Sequence, residues 1–423
     1  MTNFHVLVIG DGIGGLALTQ GLQQAGVRVT VFERTRTRTD WLQGYRIHIN
    51  PAGSRALHDC LPPPAWQRFL DTVSTVGGGF GFVTEHLRDL LRFAEHEITP
   101  DAGPADAHHG ASRIGLREAL LTGLDDEVLH LGAEFERYSI APDGRVTAHF
   151  ADGSTATGDL LVGADGANSR VRGQLLPHAQ RVDTGVLAIA GKHRLPAPDL
   201  PTVLVRDTNM VIPAGRGSLF TSVWHPDRVA VPADTAGDSL LLDTSSPYAI
   251  WGFGDATATF PPGVTDLSGP DLRDLVLERT AGWSTGLRRL VEGSDPATIN
   301  AIRVRSATPV GAWETGPVTL LGDAIHNMTP MAGIGANTAL RDADLLRRRL
   351  IAAARDEMPL HRAVSGYEEE MRRYGFAAVA QSLRNARMTA SGGRAGRYAF
   401  RTVLRTVHAI PPLRRRMASG LGS

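Results

Sequence analysis

The first 32 residues show the hydrophobic pattern of a strand, a turn, a helix and a second strand. Residues 5–9 are almost entirely apolar, which is typical of a parallel strand that is buried on both faces. Glycines follow at positions 10–15, residues 16–25 are helical in composition, and Gly26 marks the helix end. Residues 27–32 alternate and are rich in β-branched side chains, which predicts the second strand. Such a unit is right-handed and begins a parallel sheet.

The remainder of the chain divides into a strand-rich middle and a helical end. Residues 128–162 predict short strands joined by turns, and from about 180 to 305 strands dominate, with one helix near 272–280. The glycine-rich residues 77–82 and the polar residues 99–109 predict loops. After residue 335 the chain becomes helical and rich in arginine. The clearest strands of the middle region are expected at 203–205, 210–212, 218–224, 248–253 and 302–305.

Composition and charge narrow the possible functions. The 44 basic and 44 acidic residues balance to a formal net charge of zero, so nothing favours a nucleic-acid partner. Cys60 is the only cysteine, which excludes an internal disulfide, fits a reducing compartment and is expected to be structural at a helix end. No apolar run approaches the roughly 20 residues of a membrane span. No basic leader precedes the first strand, and we therefore expect a soluble, cytoplasmic protein.

The glycines at positions 10–15 fit the pattern G-x-G-x-x-G of a dinucleotide-binding turn. Gly10 allows the tight turn, Gly12 lets the backbone approach a pyrophosphate, and Gly15 lets helix and strand pack closely. The pyrophosphate would lie at the positive end of the following helix. Glu33 ends the second strand, where a carboxylate is expected to bind a ribose hydroxyl. The pattern does not distinguish NAD from FAD. The predicted cofactor contacts of this region are Gly10, Gly12, Gly14, Gly15, Glu33 and Arg34.

Two later segments each contain a buried strand that leads into an aspartate. Residues 160–164 lead into Asp165-Gly166 and a helix whose first turns hold Ser169 and Arg172. Residues 318–321 lead into Gly322-Asp323, then a loop and a helix that begins near Ala336.

With the glycine turn, these segments resemble the class A flavoprotein monooxygenases, the para-hydroxybenzoate-hydroxylase-like family. Members share the dinucleotide turn, an internal DG motif and a GD motif that leads to a G-x-N helix start, and all three occur here in the family's order. Arg117 resembles the family's arginine that opens a helix beside the cofactor. The resemblance spans residues 4 to about 350 and is more specific for FAD than for the reaction.

The resemblance implies roles for the residues of these motifs. Asp323 would bind the ribityl chain of FAD, and Asp165 would lie near the pyrophosphate and be associated with NAD(P)H. The N–H groups of Gly335, Ala336 and Asn337 would face the flavin's pyrimidine carbonyl and support the negative charge of the reduced ring. The alternatives are an aspartate that caps a strand-end turn, and glycines that merely form a tight loop.

Residues 45–49 alternate like a strand, so Arg46 and His48 share one face. The resemblance places Arg46 near the flavin ring, and His48 would then point into the same cavity. We hypothesise that His48 contacts substrate or assists proton transfer from a phenol. A histidine that is simply hydrogen-bonded within the structure is an equal alternative. Pro330, in the loop after the GD motif, completes the predicted catalytic set and is also expected at the cofactor, whereas His326 is expected to be structural.

Apolar side chains on the predicted strands and in the flavin loop are candidates for substrate contacts. They suit a small hydrophobic molecule, aromatic or polyketide-like. Because an aromatic residue on a strand is more often part of the core, we expect only one or two of them to touch the substrate. The candidates are Met210, Phe220, Trp224, Trp251, Phe253 and Met331.

The resemblance also implies a reaction. NADPH or NADH reduces the flavin, O2 adds at flavin C4a to form a hydroperoxide, and one oxygen passes to an electron-rich carbon of the substrate in a hydroxylation or epoxidation. No metal site is predicted. An NAD-dependent dehydrogenase would explain the glycine turn but not the GD segment, and no W-x-W-x-I-P segment of a flavin-dependent halogenase occurs. A non-redox cyclase or ligand-binding flavoprotein of the same fold remains an alternative.

We therefore predict an α/β protein in which a Rossmann-like FAD/NAD(P)-binding domain is interleaved with a β-sheet substrate domain and followed by helices. A chain of 423 residues exceeds what one hydrophobic core usually serves. The cofactor domain is expected at 1–75, 100–178 and 300–350, the substrate domain at 76–99 and 179–299, and the C-terminal helices at 351–423.

Residues 391–423 hold seven arginines and no acidic residue. A basic, partly apolar helix can touch a membrane or a partner. We favour packing against the acidic remainder of the molecule, because membrane anchoring usually needs a second signal.

Overall fold

The computed structural model describes residues 4–36, 46–74, 79–98, 103–225, 246–390 and 393–421. Strands and helices are numbered in chain order. The strands are β1 His5–Ile9, β2 Arg28–Glu33, β3 Arg46–Ile49, β4 Val73–Ser74, β5 Phe80–Val83, β6 Asp89–Phe93, β7 His109–Ser112, β8 Leu129–Leu131, β9 Phe135–Ile140, β10 Val146–Phe150, β11 Thr155–Gly158, β12 Leu160–Gly163, β13 Arg181–Arg194, β14 Thr208–Val211, β15 Ser218–Trp224, β16 Tyr248–Ala256, β17 Asn300–Ala307 and β18 Val318–Leu320. The helices are α1 Ile13–Gln24, α2 Pro51–Cys60, α3 Pro63–Thr72, α4 Glu95–Ile98, α5 Arg113–Leu120, α6 Arg170–Leu175, α7 Thr202–Arg206, α8 Gly269–Arg279, α9 Thr285–Glu292, α10 Asp323–His326, α11 Gly335–Ala354, α12 Leu360–Ala390, α13 Arg394–Ala409 and α14 Pro411–Leu421.

A five-stranded sheet with the order β18-β12-β1-β2-β8 forms the centre of the cofactor domain. Every pair in it is parallel, and Val6 lies opposite Leu160 on one side and Val29 on the other. The apolar run of β1 is completely buried at Val6, Leu7 and Val8, as a strand covered on both faces requires. The predicted α/β class and the strand–helix–strand opening are confirmed.

A seven-stranded sheet with the order β17-β13-β16-β15-β14-β5-β6 forms the substrate domain. Its pairs are antiparallel except for β14 with β5. Helices α8 and α9 cover one face and enclose a separate hydrophobic core. Helix α12 crosses the other face at β13 and β16, and α13 packs on β6 at the edge. Two three-stranded sheets, β3-β7-β4 and β11-β10-β9, complete the molecule.

The structure corrects several boundaries. Residues 203–205, expected as a strand, lie in α7, because Pro201 begins a helical turn and Leu204 is buried in the core under α9. Residues 80–83, expected as loop, form β5. Residues 300–307 pair with β13, so they belong to the substrate sheet and not to the third segment of the cofactor domain.

Helices α11 and α12 connect the two domains. Helix α11 packs between α1 and α12, and α12 reaches the substrate sheet. No helix among the described residues is at once long and apolar enough to cross a membrane.

Candidate cofactor and substrate site

Three loops meet at the carboxyl edge of the parallel sheet. Strands β18, β12 and β1 are neighbours, and each runs in the same direction. The glycine turn at 10–15 follows β1, the segment 164–169 follows β12, and the segment 321–326 follows β18. The first and last of the three predicted motifs lie more than 300 residues apart in sequence, yet all three are adjacent at the edge where parallel sheets bind ligands.

The glycine turn has the close geometry that a dinucleotide loop needs. Gly10 adopts φ +103°, and a Cβ there would lie 2.6 Å from the carbonyl oxygen of Ala164. A Cβ at Gly15 would lie 2.4 Å from the carbonyl oxygen of Gly10. At Gly12, by contrast, the nearest atom to such a Cβ is 3.9 Å away. Gly12 caps α1, so its open side faces the free N–H groups of the first helical turn.

A buried ionic cluster supports this turn. Asp11 forms an ion pair with Arg117, and both side chains are almost fully buried. Glu33 accepts hydrogen bonds from the N–H groups of Asp11 (3.2 Å) and Thr35 (2.8 Å). Burial and the neighbouring Glu33 raise the pKa of Asp11 to about 6, against the opposing effect of Arg117. Arg117 therefore acts on the turn through Asp11. Arg34, another predicted cofactor contact, is exposed.

The arginine that opens α5 is Arg113, and this corrects the expectation that Arg117 holds that position. Ser112 caps the helix by accepting a hydrogen bond from the N–H of Gly115, so Arg113 is the first helical residue. The Arg113 side chain is exposed and interacts electrostatically with Asp323. Arg117 lies one turn further and faces the interior. The capping serine at position 112 is the sequence signal that would have identified Arg113.

The two motif aspartates differ in their surroundings. Asp165 caps α6 because its Oδ2 accepts the N–H groups of Arg170 (2.8 Å) and Val171 (3.3 Å). Its Oδ1 is buried and has no donor among the described residues, and burial raises the pKa of the carboxyl. Asp323 is exposed after Gly322, which has φ +64°. In the part of the chain that the structure describes, no group donates a hydrogen bond to Asp323, so its carboxylate can accept from a ligand.

A second buried carboxylate holds the segment that carries Asp323. Asp342 of α11 accepts hydrogen bonds from the N–H of Gly322 (2.8 Å), from His326 (2.6 Å) and from the hydroxyl of Tyr374 (2.5 Å). Burial lowers the pKa of His326, but the charge and hydrogen bond of Asp342 outweigh it and raise that pKa. His326 thus has the structural position that the sequence led us to expect.

The N-terminus of α11 faces the same cleft. Its first backbone hydrogen bond runs from the N–H of Thr338 to the carbonyl of Ile334, which leaves the N–H groups of Gly335, Ala336 and Asn337 outside the helical pattern. The Asn337 side chain joins the helix to β3. It accepts from the N–H of residue 50 (2.9 Å) and donates to the carbonyl of residue 48 (2.9 Å). Asn337 can therefore offer a ligand only its backbone N–H.

His48 belongs to a pair of histidines beside this helix. His48 Nε2 and His108 Nδ1 are 2.8 Å apart, so one ring donates to the other. His108 Nε2 is buried without a partner among the described residues. Burial, with the nearby charge of Arg46, lowers the pKa of His48 to about 3. His48 is therefore neutral near pH 7.

Arg46 lies on the same face as His48. Its Nε is 3.0 Å from the position that a Cβ on Gly110 would take, so the side chain crosses β7 where only glycine leaves room. Burial lowers its pKa to about 10, while Tyr248 of the substrate sheet has the opposite effect. Arg46 and His48 thus lie where the cofactor domain meets the substrate sheet. Pro330 is exposed and begins a short 3-10 turn.

Trp251 and Phe253 lie on the face of the seven-stranded sheet that α8 and α9 cover. Trp251 is fully buried and donates a hydrogen bond to Ser294 (2.7 Å), and Phe253 packs against Phe260 and Trp283. They belong to a closed core, which corrects the expectation that they line the substrate cavity. The physical reason is the two-residue period of a strand, which turns neighbouring side chains to opposite faces.

Met210, Phe220 and Trp224 lie on the opposite face. Met210 and Phe220 form a direct cross-strand pair and are half-buried. Trp224 is buried against Tyr248, with ring centroids 5.4 Å apart. Met331 packs at the other end of this face, against β13, β17 and α12. Half-buried residues of the same face that sequence reasoning missed are Phe80, Phe82, Ala190, Ile250 and Gly252.

The exposed and unsatisfied groups of the cleft fit a flavin dinucleotide. Phosphates need donors, and the first turn of α1 supplies them beside the open side of Gly12. Ribose and ribityl hydroxyls need acceptors, and the unpartnered Oδ1 of Asp165 and the exposed carboxylate of Asp323 supply them. The N–H groups at the start of α11 suit the carbonyl of a flavin ring.

Three comparisons agree with this arrangement. A family model described as an FAD binding domain matches residues 283–382. The aurachin C monooxygenase/isomerase of Stigmatella aurantiaca is 30% identical, over 85% of this chain and 83% of that enzyme. A crystal structure from Photorhabdus luminescens, of a protein suggested to be an FAD-containing monooxygenase, is 38% identical. It superposes with a TM-score of 0.81 over 92% of this chain and 99% of its own.

A dual O-methyltransferase/FAD-dependent monooxygenase of Phaeosphaeria nodorum is 30% identical over 89% of this chain. The chain spans only 45% of the length of that fungal protein.

Proposed function

The chain belongs to the family of FAD-dependent monooxygenases, and from that premise we propose that it uses NADPH or NADH and O2 to hydroxylate or epoxidise a small hydrophobic molecule. One observation carries the proposal. The glycine turn, Asp165 and Asp323 converge at one sheet edge, the first turns of α11 pack against Gly14 and Gly322, and Met331 in the loop before α11 packs on the seven-stranded sheet.

In this proposal the hydrogen-bond donors and the hydrogen-bond acceptors of the cleft together hold the cofactor. The first turn of α1 would bind the pyrophosphate, Glu33 a ribose hydroxyl, and Asp165 and Asp323 further hydroxyl groups. Arg113 lies beside Asp323 and would add positive charge. When bound, FAD would accept a hydride from NAD(P)H and activate O2. The N–H groups at the start of α11 would stabilise negative charge on the reduced ring without reorganisation.

The residues at the junction of the two domains would orient the substrate. Because His48 is neutral near pH 7, it can hydrogen-bond a substrate hydroxyl, but its low pKa makes it a weak base by itself. Arg46 would place a positive charge on the same face. The Thr329 hydroxyl donates a hydrogen bond to the backbone carbonyl of Ser382 in α12 (2.8 Å), and this bond would help to hold the loop with Pro330 at the cleft.

The substrate class follows from the lining. Phe220, Phe82, Ile250 and Met210 offer mostly apolar surface, and Phe220 lies opposite Gly252, which leaves room above the sheet. Such a surface suits an aromatic or polyketide-like molecule with few polar groups.

The test is the visible absorption of the purified, FAD-loaded protein mixed without oxygen with NADPH or NADH and a panel of phenolic and polyketide compounds. We expect bleaching of the flavin that one class of compound accelerates, and oxygenated product once air is admitted. A flavin that no combination bleaches would contradict the proposal and favour a non-redox flavoprotein of this fold. Protein that fails to retain FAD would contradict the cofactor assignment as well.

His48 is tested separately. The His48→Ala variant should bind FAD normally and bind the accelerating compound more weakly. Unchanged turnover together with unchanged substrate affinity would remove His48 from the site. The exposed His58→Ala variant is the matched control.

A further inference from the structure

Helix α13 buries two arginines beside its apolar contacts, which are made by the buried Leu404 and the partly buried Phe400 and Val407. Arg397 and Arg401 point into the protein, where Arg397 donates to the carbonyl of Gly217 (2.6 Å). Arg401 donates to the carbonyl of Ile212 (2.9 Å) and forms an ion pair with Glu85. A helix on a soluble surface usually buries its apolar stripe and exposes its charges. Helix α13 departs from this order in part, because large apolar side chains also stand on its outward face.

That outward face exposes large apolar side chains. Tyr398 is 64% exposed and Val403 56% exposed. Large apolar side chains are also exposed before and after the helix: Met388 is 57% exposed, Ile410 40% and Leu413 43%. The other large apolar side chains exposed on the described surface, Ile140, Val182, Leu267 and Ile302, are scattered over the molecule. A concentration of this kind marks an interaction surface more often than chance exposure does.

The same segment carries a large excess of positive over negative charge. No acidic residue occurs from position 371 to position 423, whereas this stretch contains eleven arginines. Because the whole chain is neutral, the preceding residues carry the matching excess of acid. Glu85 and Glu97 neutralise Arg401 and Arg414. Arginines are also exposed on the same helices as the apolar side chains, at positions 394, 405, 415 and 416.

We propose that the outer surface of α13 and α14, formed by the exposed side chains of residues 394–416, binds the surface of a bilayer that contains anionic lipids. Interfacial binding needs apolar side chains that enter the acyl boundary and cations that meet the headgroups, and this surface presents both. The sequence showed the charge and a partly apolar helix, but not which apolar side chains are exposed. The exposed Tyr398, Val403, Ile410 and Leu413 are the second signal that membrane association requires.

A second copy of the chain is a poorer occupant of this surface. A two-fold interface places each patch against itself, so the exposed arginines of one chain would face those of the other. The outward face of one straight helix is also convex, whereas peptide partners usually bind in grooves. The negative surface potential of an anionic membrane complements the patch directly.

The membrane surface would adjoin the substrate-facing side of the molecule. Phe400 of α13 contacts Phe82 of β5 in an edge-to-face arrangement, with centroids 6.4 Å apart. The proposal rests on exposure and charge in α13 and α14, and it stands whether or not the enzyme oxygenates its substrate.

The experiment is co-sedimentation of the full, FAD-loaded chain with vesicles made of equal parts of phosphatidylglycerol and phosphatidylcholine, and with vesicles of phosphatidylcholine alone. We expect binding to the anionic vesicles that weakens as salt is added, and little binding to the neutral ones. The double variants Tyr398→Ser/Val403→Ser and Arg415→Glu/Arg416→Glu should each bind the anionic vesicles at least about tenfold more weakly than the wild type. Ile140→Ser and Ile302→Ser are matched controls, since each isoleucine is 51% exposed elsewhere, and both should bind normally.

Three results would overturn the proposal. The first is a wild-type chain that does not sediment with anionic vesicles. The second is a loss of binding in the control variants equal to that in the α13 variant. The third is a chain that self-associates through this face, shown by sedimentation velocity as a dimer that Tyr398→Ser/Val403→Ser converts to monomer without any vesicle binding. Retained FAD absorbance and an unchanged melting temperature establish that each variant is folded.

Discussion

The five-stranded parallel sheet presents its proposed ligand with the loop ends of β1, β12 and β18, whereas the seven-stranded sheet presents one of its faces. At the loop ends the proposed contacts are backbone N–H groups and a few carboxylates, so their positions depend on glycines such as Gly10 and Gly12. On the face the proposed contacts are side chains, and the same strands bury alternate residues in a core on the other side. Cofactor recognition is therefore tied to fixed backbone positions, and substrate recognition can change by side-chain replacement alone.

The largest expected effect separates the two faces of the seven-stranded sheet. Trp251→Ala should lower the free energy of unfolding by about 3–5 kcal/mol, because it empties a fully buried position and leaves Ser294 without its donor. Phe220→Ala, on the half-buried face, should cost about 1 kcal/mol or less and alter substrate affinity instead. Thermal unfolding of both variants measures the loss of stability, and titration with the substrate measures the change in affinity. Equal destabilisation by the two substitutions would break the distinction between the faces.

The next effect concerns the parallel sheet edge. Gly10→Ala should weaken FAD binding by about a hundredfold or more, because alanine is strained at φ +103° and its Cβ would clash with the carbonyl of Ala164. Fluorescence titration of the apoprotein with FAD measures the affinity. Gly173→Ala is the matched control, since a Cβ there meets no atom within 4 Å. Unchanged FAD affinity in Gly10→Ala would show that the turn does not hold the cofactor.

A smaller effect is expected at the segment that follows β18. Asp323→Asn should weaken FAD binding by about tenfold, because an amide replaces the carboxylate in a charge-assisted hydrogen bond. The exposed turn residue Asp152 provides the control Asp152→Asn, which should bind FAD normally. An Asp323→Asn variant with full affinity would place the cofactor away from β18.

The smallest effect is at the junction of the two regions and depends on pH. The pKa of His48 is about 3 in the folded protein, and an unfolded histidine has a pKa of about 6.5. Between these values the folded state binds fewer protons, so this stability is present above about pH 6.5 and is lost as the pH falls toward 3. Burial lowers the pKa of His108 and His109 in the same direction.

The melting temperature should therefore fall between pH 6.5 and 5, and it should fall less in His48→Gln. Thermal unfolding over this range measures the change. The exposed His58→Gln is the control. A pH profile that His48→Gln leaves unchanged would mean that His48 is more solvated than its place between the regions suggests.

Much of the parallel sheet and its loops could be predicted, because the residues that favour each local structure are also the ones that the proposed cofactor site requires. A buried strand, a glycine turn and a helix follow one another within 32 residues, and the DG and GD segments have the same strand-then-turn pattern. Arg117 was assigned the position of Arg113 because both lie in one short helix, and the capping role of Ser112 decides which arginine comes first. In α7, the run of β-branched residues favoured a strand, but Pro201 and the core under α9 enforce a helix.

By itself the sequence determined the dinucleotide turn, the order of the three motifs and the charge of the final helices, because these properties depend on residue type and spacing. The tertiary structure alone decided which aromatic residues leave the core. Trp251 and Trp224 are both strand aromatics, and only the pairing of β15 with β16 shows that they face opposite sides. It also decided that α13 turns Arg397 inward and Tyr398 outward. Burial depends on which neighbours a side chain meets, and those neighbours are distant in sequence.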